Sequence, residues 1–211
     1  AVNNLPDTIL RSWHRCTDLG VIEDQIPYAE PLTHAELLVL REASGELLSI
    51  VEPELDFLGE MFHGTDSVVL LANPNGMILD ARGAGGFLDK AGQVALKSGV
   101  VWSESARGTN AIGTAIAESA LVEVWGDEHY HRQHANLCCT AAPILDHQGR
   151  IAGVIDISGD VRLPRGYAQG ALSRAIRETE HRWLMQSPGQ LQRLRFHEKS
   201  NHLGSFREGV L

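Results

Sequence analysis

The chain has 211 residues and carries 18 Lys and Arg against 27 Asp and Glu, a formal net charge of -9. That balance excludes a broad phosphate-binding surface, because nucleic-acid affinity rests largely on Lys and Arg neutralising phosphates. No apolar run approaches the roughly 20 residues that span a bilayer, no secretory pattern opens at Ala1, and Cys16, Cys138 and Cys139 form no evenly spaced disulfide framework, so a cytoplasmic protein that binds neither membrane nor nucleic acid is expected.

Ile9, Trp13 and Cys16 recur at helical spacing and Gly20 can close the helix they define. After a linker with Pro27 and Pro31, Thr33-His34-Ala35-Glu36 reads as a capping box that satisfies the first free amides of a new helix. Its apolar stripe runs through Leu37, Leu40, Leu47 and Val51 toward Leu58 and Phe62. Pro53 removes a donor within that stripe and predicts a kink or a division into two pieces. Two apolar runs, Val68 to Ala72 and Met77 to Asp80, flank Asn73-Pro74-Asn75-Gly76 and predict a hairpin.

A helix is expected around Ala91 to Lys97, then a loop containing Trp102, a second helix from about Thr109 to Glu118, a strand over Leu121 to Trp125 and a short polar helix over Asp127 to Ala135. Cys138 to Leu145 and Arg150 to Ser158 flank Asp146-His147-Gln148-Gly149 as a second hairpin, and the last strand is apolar enough to sit centrally in a sheet. Ala168, Leu172, Ala175, Ile176, Thr179 and Trp183 give a helix with an apolar seam, expected to pair with the helix beginning near Thr33. The basic residues beyond Asp160, among them Arg162, Arg165, Arg174 and Arg177, read as a solvated helix face.

Strong catalytic signatures are missing: the sequence holds no G-x-x-x-x-G-K-[ST], no H-E-x-x-H and no G-x-S-x-G. Gly108 to Ala115 lines a helix with small residues and opens it with free amides that can take a ligand oxygen, although Thr109 or Asn110 can equally cap it. Trp102 and Trp125 are either core or the aromatic wall of a pocket. His129 and His131 point to nearly opposite sides of a helix turning about 100° per residue, so no metal site is expected from them. His129 or His134 can instead hydrogen-bond a ligand or be satisfied within the protein. Adjacent in a strand, Cys138 and Cys139 face opposite sides of the sheet and read as small buried hydrophobes. Asp80 and Asp156 end or interrupt apolar strands without pairing as acid and base.

The run Ala106-Arg107-Gly108-Thr109-Asn110-Ala111-Ile112-Gly113-Thr114-Ala115, with Glu128-His129, Cys139-Thr140-Ala141-Ala142-Pro143-Ile144 and Gly153 to Asp160, resembles the GAF sensor domain of acetoin-catabolism-regulator-type sigma-54-dependent transcriptional activators. Ser12-Trp13-His14-Arg15-Cys16 resembles their N-terminal signature, and Leu194 to His197 with Leu203-Gly204 and Arg207-Glu208-Gly209 resembles the join to a following module. The resemblance implies an α/β (α+β) fold: a GAF-like antiparallel five- or six-stranded sheet with helices on its faces, terminal helices forming a bundle, and a pocket between one face and the connecting helices. The implied divisions are 1–32 as N-terminal helix and linker, 33–186 as sensor domain and 187–211 as linker. It also implies a longer parent protein that reaches DNA and sigma-54 RNA polymerase through an ATPase and a helix-turn-helix module, and often dimerises, here through its terminal helices.

The effector expected is a small neutral metabolite such as a diol, ketone or alcohol, with no cofactor and no catalytic residue. It would be held by Trp102, Asn110, Thr114, Trp125, His129, His134, Cys138 and Thr140. Two alternatives stand beside this sensor: a methionine-sulfoxide reductase on the same fold using Cys138 or Cys139, and a ligand-free module for dimerisation or protein docking.

Overall fold

The computed structural model describes residues 5–23, 25, 30–83, 95–186, 195–196 and 209–210. Helix α1 (Asp7–Asp18) forms on the expected stripe, burying Ile9, Ser12 and Cys16. Helix α2 (His34–Ala43) starts at the expected capping box, in which Thr33 Oγ1 accepts from the Glu36 amide at 3.3 Å and Glu36 Oε2 from the Thr33 amide at 2.8 Å. Helix α3 (Gly45–Met61) follows after a break at Ser44, not at Pro53, which lies exposed inside α3. An interior proline costs about 3 kcal/mol. Here Leu47, Ile50, Val51, Leu55 and Leu58 remain on one buried stripe through it, and their burial, about 2 kcal/mol for each large apolar side chain, outweighs that cost.

Strands β1 (Ser67–Ala72) and β2 (Ile78–Gly83) form the first hairpin. Asn73 Oδ1 organises its turn by accepting from the amides of Asn75 and Met77, each at 3.0 Å. Then come α4 (Glu104–Arg107), α5 (Ala111–Glu118), β3 (Val122–Trp125), β4 (Leu137–Leu145), β5 (Ile151–Asp160) and α6 (Gln169–Gln186). A separate two-stranded ladder joins β6 (Arg195–Phe196) to β7 (Gly209–Val210). The expected helix over 91–97 and the segment 187–211 lie largely outside the described residues.

The main sheet is antiparallel, has five strands in the order β2-β1-β5-β4-β3, and puts the apolar β5 at its centre. Alternation along each strand sorts side chains onto two faces. One face carries Val68, Leu70, Val154, Cys139, Ala141 and Val124, covered by Ile9 of α1, Trp102, and Ile112 and Ala115 of α5. The other carries Val69, Leu71, Ile155, Ile157 and Ile144, covered by α3 and α6. Helix α6 pairs with α3, where Arg182 donates to Ile50 O at 2.7 Å and to Glu54 Oε1 at 2.8 Å. The two outer helices therefore lie on opposite faces, α1 over one and α6 over the other.

The polar helix expected over Asp127 to Ala135 is replaced by two short 3-10 turns, Gly126–Glu128 and Arg132–His134. His129 and His131 between and beside them are extended, with ψ of 140° and 125°. A regular helix would have splayed these rings to opposite sides. The extended residues turn them inward, and His129, His131 and His134 are all buried.

Candidate functional site

The face under α5 holds a cluster of polar groups. Its frame is the N-terminus of α5, where Asn110 is extended (φ -152°) and caps the helix. Asn110 Oδ1 accepts from the Gly113 amide at 2.9 Å while Nδ2 donates to Gly108 O at 2.8 Å. Both ends of this amide are thus committed to local backbone, which makes Asn110 a structural cap. Asn110→Ala is expected to lower stability by about 1 kcal/mol, seen as a lower urea midpoint with unchanged slope, and Asn110→Asp should recover only part of it, because it keeps the oxygen that accepts from Gly113 but sets its second oxygen against Gly108 O. Gly108 precedes it with φ +63°, and a Cβ there would fall 2.6 Å from Tyr130 Cβ. The histidine segment consequently presses directly on the α4–α5 connection.

Thr114 is committed to α1. The Ser12 hydroxyl donates to Glu104 Oε1 at 2.6 Å and lies 2.7 Å from Thr109 Oγ1 and 3.1 Å from Thr114 Oγ1, all buried. Glu104 also receives Arg15 at 2.7 Å. The chain following α1 continues this closure: Trp13 Nε1 donates to Glu128 O at 2.9 Å, Tyr130 donates to Val21 O at 3.2 Å, and His131 Nδ1 lies 2.7 Å from Glu23 O.

At the centre Trp102, fully buried, donates its indole N–H to Ala95 O at 2.9 Å. Its ring lies 4.9 Å from that of His134, and the Arg107 guanidinium lies 5.9 Å from the Trp102 ring. The His134 ring is 5.9 Å from both His129 and His131. His129 Nδ1 sits 2.9 Å from Gly126 O and His131 Nδ1 approaches Glu23 O. A carbonyl can only accept, so each of these rings donates from Nδ1, and His129, which burial holds neutral, presents a lone pair at Nε2. Five buried atoms here have no hydrogen-bond partner: Arg107 Nε, His129 Nε2, His131 Nε2 and both ring nitrogens of His134. Buried polar groups are paired in the great majority of cases. Among the described residues no three His, Cys, Asp or Glu side chains are grouped so as to hold a metal ion.

Sequence reasoning named Trp102, His129 and His134 but missed Arg107 and His131. His131 was set aside by assuming a regular helix. Arg107 stands inside the run Ala106-Arg107-Gly108, and a lone cation just before a helix of small residues was the signal available. The structure separates Trp125, Cys138 and Thr140 from the rest. Trp125 pairs with Cys138 and Glu123 with Thr140 across β3 and β4, and these side chains alternate onto the α3–α6 face. There the Arg165 guanidinium lies 5.1 Å from the Trp125 ring, Cys138 donates to Asp160 O at 3.1 Å, and Thr140 donates to Glu123 Oε1 at 3.4 Å. No single pocket on one face can hold all eight residues. Burial pushes the Cys138 thiol up to about 12 and that of Cys139 well up, the reverse of what a nucleophilic cysteine needs.

Burial lowers His129 to about 4; burial, then the neighbouring His129, His131 and Arg107, lowers His134 to about 3. On the same face Asp156 accepts from Ser158 at 2.5 Å with Oδ1 unpaired, and burial raises it to about 7. Two histidines that stay neutral in the fold lose stability as pH falls below 6.5. Asp156, protonated in the fold, opposes them, since its contribution is lost as pH rises from about 4 to 7. Between about pH 4.5 and 6.5 the unfolded chain thus binds two protons more at the histidines and one fewer at Asp156, and stability should fall on acidification by on the order of 1 kcal/mol per pH unit. Unfolding temperatures measured across that range should drop with pH, more steeply in Asp156→Asn. A flat profile would contradict the neutral, buried histidines.

A family model described as the MimR N-terminal domain matches residues 2–167. The acetoin dehydrogenase operon transcriptional activator AcoR of Bacillus subtilis is 36% identical over 154 residues, covering 71% of this chain and 25% of its own length. The propane 2-monooxygenase operon transcriptional activator MimR of Mycolicibacterium smegmatis is 31% identical over 162 residues, 72% of this chain and 25% of its own length. The chain spans between about a quarter and somewhat over a third of the curated relatives it matches. The DhaR(N) structure of E. coli, solved with DhaL, superposes with a TM-score of 0.80 at 19% identity, covering 85% of this chain and 62% of that one. The shared fold is GAF-like. Among the described residues no helix is long and apolar enough to cross a membrane.

Proposed function

Because the chain belongs to the family of MimR N-terminal domains, regulatory domains of transcriptional activators, we propose that it is an effector-sensing input domain whose ligand is held on the α5 face by Trp102, Arg107, His129, His131 and His134. The observation that carries this reading is the five unpaired buried atoms gathered around one indole. Buried donors and acceptors left open cost free energy, and a small oxygen-bearing metabolite offsets that cost by pairing with them. The sensing unit begins at α1, because Ile9 and Cys16 belong to the buried core and Ser12 to the network at Glu104.

The route of the signal follows from what touches the cluster. Residues 13–23 hydrogen-bond directly to Glu128, Tyr130 and His131, whereas α6 lies across the sheet. Occupancy of the cluster therefore acts first on α1. DNA and sigma-54 RNA polymerase are reached through parts of the longer protein, in keeping with the relatives' greater length and this chain's net charge of -9. The domain works as a homodimer in the cytoplasm, its exposed apolar side chains Leu38 and Val39 on α2 being available for association.

The test is a thermal-shift screen of the 211-residue chain against small alcohols, diols, ketones and carboxylic acids. A ligand at 100 times its dissociation constant adds about 2.7 kcal/mol, enough to read as several degrees. Binding should be lost in His134→Phe and kept in Trp125→Phe, which alters the other face. If no compound at millimolar concentration moves the transition, the sensing role is wrong.

A further inference from the structure

The donor and acceptor pattern of the cluster specifies more than a small metabolite. His129, held neutral by burial, presents a lone pair at Nε2, its proton fixed on Nδ1 by the Gly126 carbonyl, and His131 donates from Nδ1 to Glu23 O and leaves its Nε2 without a partner. Neutral His134, unpaired at both nitrogens, offers one N–H and one lone pair. Arg107 offers an N–H and a full positive charge. Its residue is 5% exposed, Nε has no partner, and no described acid pairs with it. Glu104, one turn away in the chain, is turned to Ser12 and Arg15. Among the described residues the buried guanidinium meets the Trp102 ring at 5.9 Å but no opposite charge, an unfavourable state, and a neutral ketone or diol supplies dipoles but no opposite charge.

Building on the sensing reading above, we infer that the effector is a small hydroxycarboxylate, its carboxylate bound by Arg107 and an N–H of His134 and its hydroxyl donating to the Nε2 lone pair of His129. This departs from the neutral effector expected from the sequence, which took no account of Arg107. Guanidinium and carboxylate match as a two-pronged pair, and the imidazole lone pairs require a ligand that carries an O–H. A carboxylate without a hydroxyl leaves every one of those lone pairs open, and a diol leaves the charge uncompensated.

Three probes separate these elements: lactate, propanoate (lactate without its hydroxyl) and propane-1,2-diol (its uncharged counterpart). Calorimetric titration and thermal shift of the wild-type chain should show lactate binding at least tenfold tighter than either of the others. Arg107→Met should abolish the lactate shift while raising the unfolding temperature of the ligand-free protein, because it removes a buried charge that no described acid pairs. Arg107→Lys, which keeps the charge but not the fork, should weaken lactate at least tenfold. Propane-1,2-diol binding as tightly as lactate, or lactate binding retained in Arg107→Met, overturns the hydroxycarboxylate and leaves the sensing domain standing. Propanoate matching lactate removes the hydroxyl recognition. A ligand-free Arg107→Met protein less stable than wild type makes Arg107 a structural residue and overturns the inference. If lactate fails while a neutral compound of the wider screen binds, only the ligand class is wrong, whereas failure of every compound removes the sensing role as well.

Discussion

Gly113→Ala is expected to destabilise the domain by about 2–3 kcal/mol, although alanine is the better helix former. Gly113 lies in the first turn of α5, where propensity alone would favour Ala by about 1 kcal/mol. A Cβ at that position, however, would stand 2.6 Å from Glu104 N, 2.9 Å from Ser103 C and 2.9 Å from Trp102 O. All three are backbone atoms, so no side chain can swing aside, and α5 must lift from the 102–104 segment. Overpacking of this kind costs roughly 1–3 kcal/mol or more, and lifting α5 also strains the Asn110 cap and the Thr114 contact to Ser12. Gly170 in α6 is the internal control, since an added Cβ there meets nothing within 4 Å. Gly170→Ala should stabilise by about 0.5–1 kcal/mol. Urea midpoints of the two variants moving in opposite directions would bear this out; a neutral Gly113→Ala would mean that α5 does not sit so close.

Trp102→Ala should cost about 3–5 kcal/mol, the range for truncating a buried indole, which is a large part of the 5–15 kcal/mol that holds a typical domain together. The side chain is 1% exposed, anchors Ala95 O and forms one wall of the histidine cluster. Trp102→Phe keeps most of the apolar body and loses the N–H, leaving the Ala95 carbonyl open, so its cost should be nearer 1–2 kcal/mol. Chemical denaturation of both variants separates packing from hydrogen bonding. Equal losses would assign the indole's contribution mainly to its hydrogen bond. Because Trp102 is stacked near His134, both variants should also weaken whatever the cluster binds.

Several elements were legible because their causes are local. The Thr33–Glu36 box, the Asn73 turn and the apolar run of β5 each depend on residues within a few positions of one another, and each formed as read. The break between α2 and α3 was misplaced because a proline penalty is local whereas the burial that overrides it comes from the sheet and α6. The histidine segment was misread for a related reason. Polar composition suggested a short regular helix, but Tyr130 packs on Gly108 while Val21 and Glu23 take the Tyr130 and His131 hydrogen bonds, and these partners lie at distant positions in the chain.

The sequence by itself determined the family, the α+β fold and the alternation that places Cys138 and Cys139 on opposite faces of the sheet. Strand periodicity says that neighbours point apart, but it does not say which face lies under α5 and which under α3 and α6. Only the tertiary structure decided that Trp125, Cys138 and Thr140 belong to one side and Trp102, Arg107 and the three histidines to the other. Burial is a property of what covers a residue, and for Arg107 the covering layer hides its charge and, among the described residues, sets no acid against it.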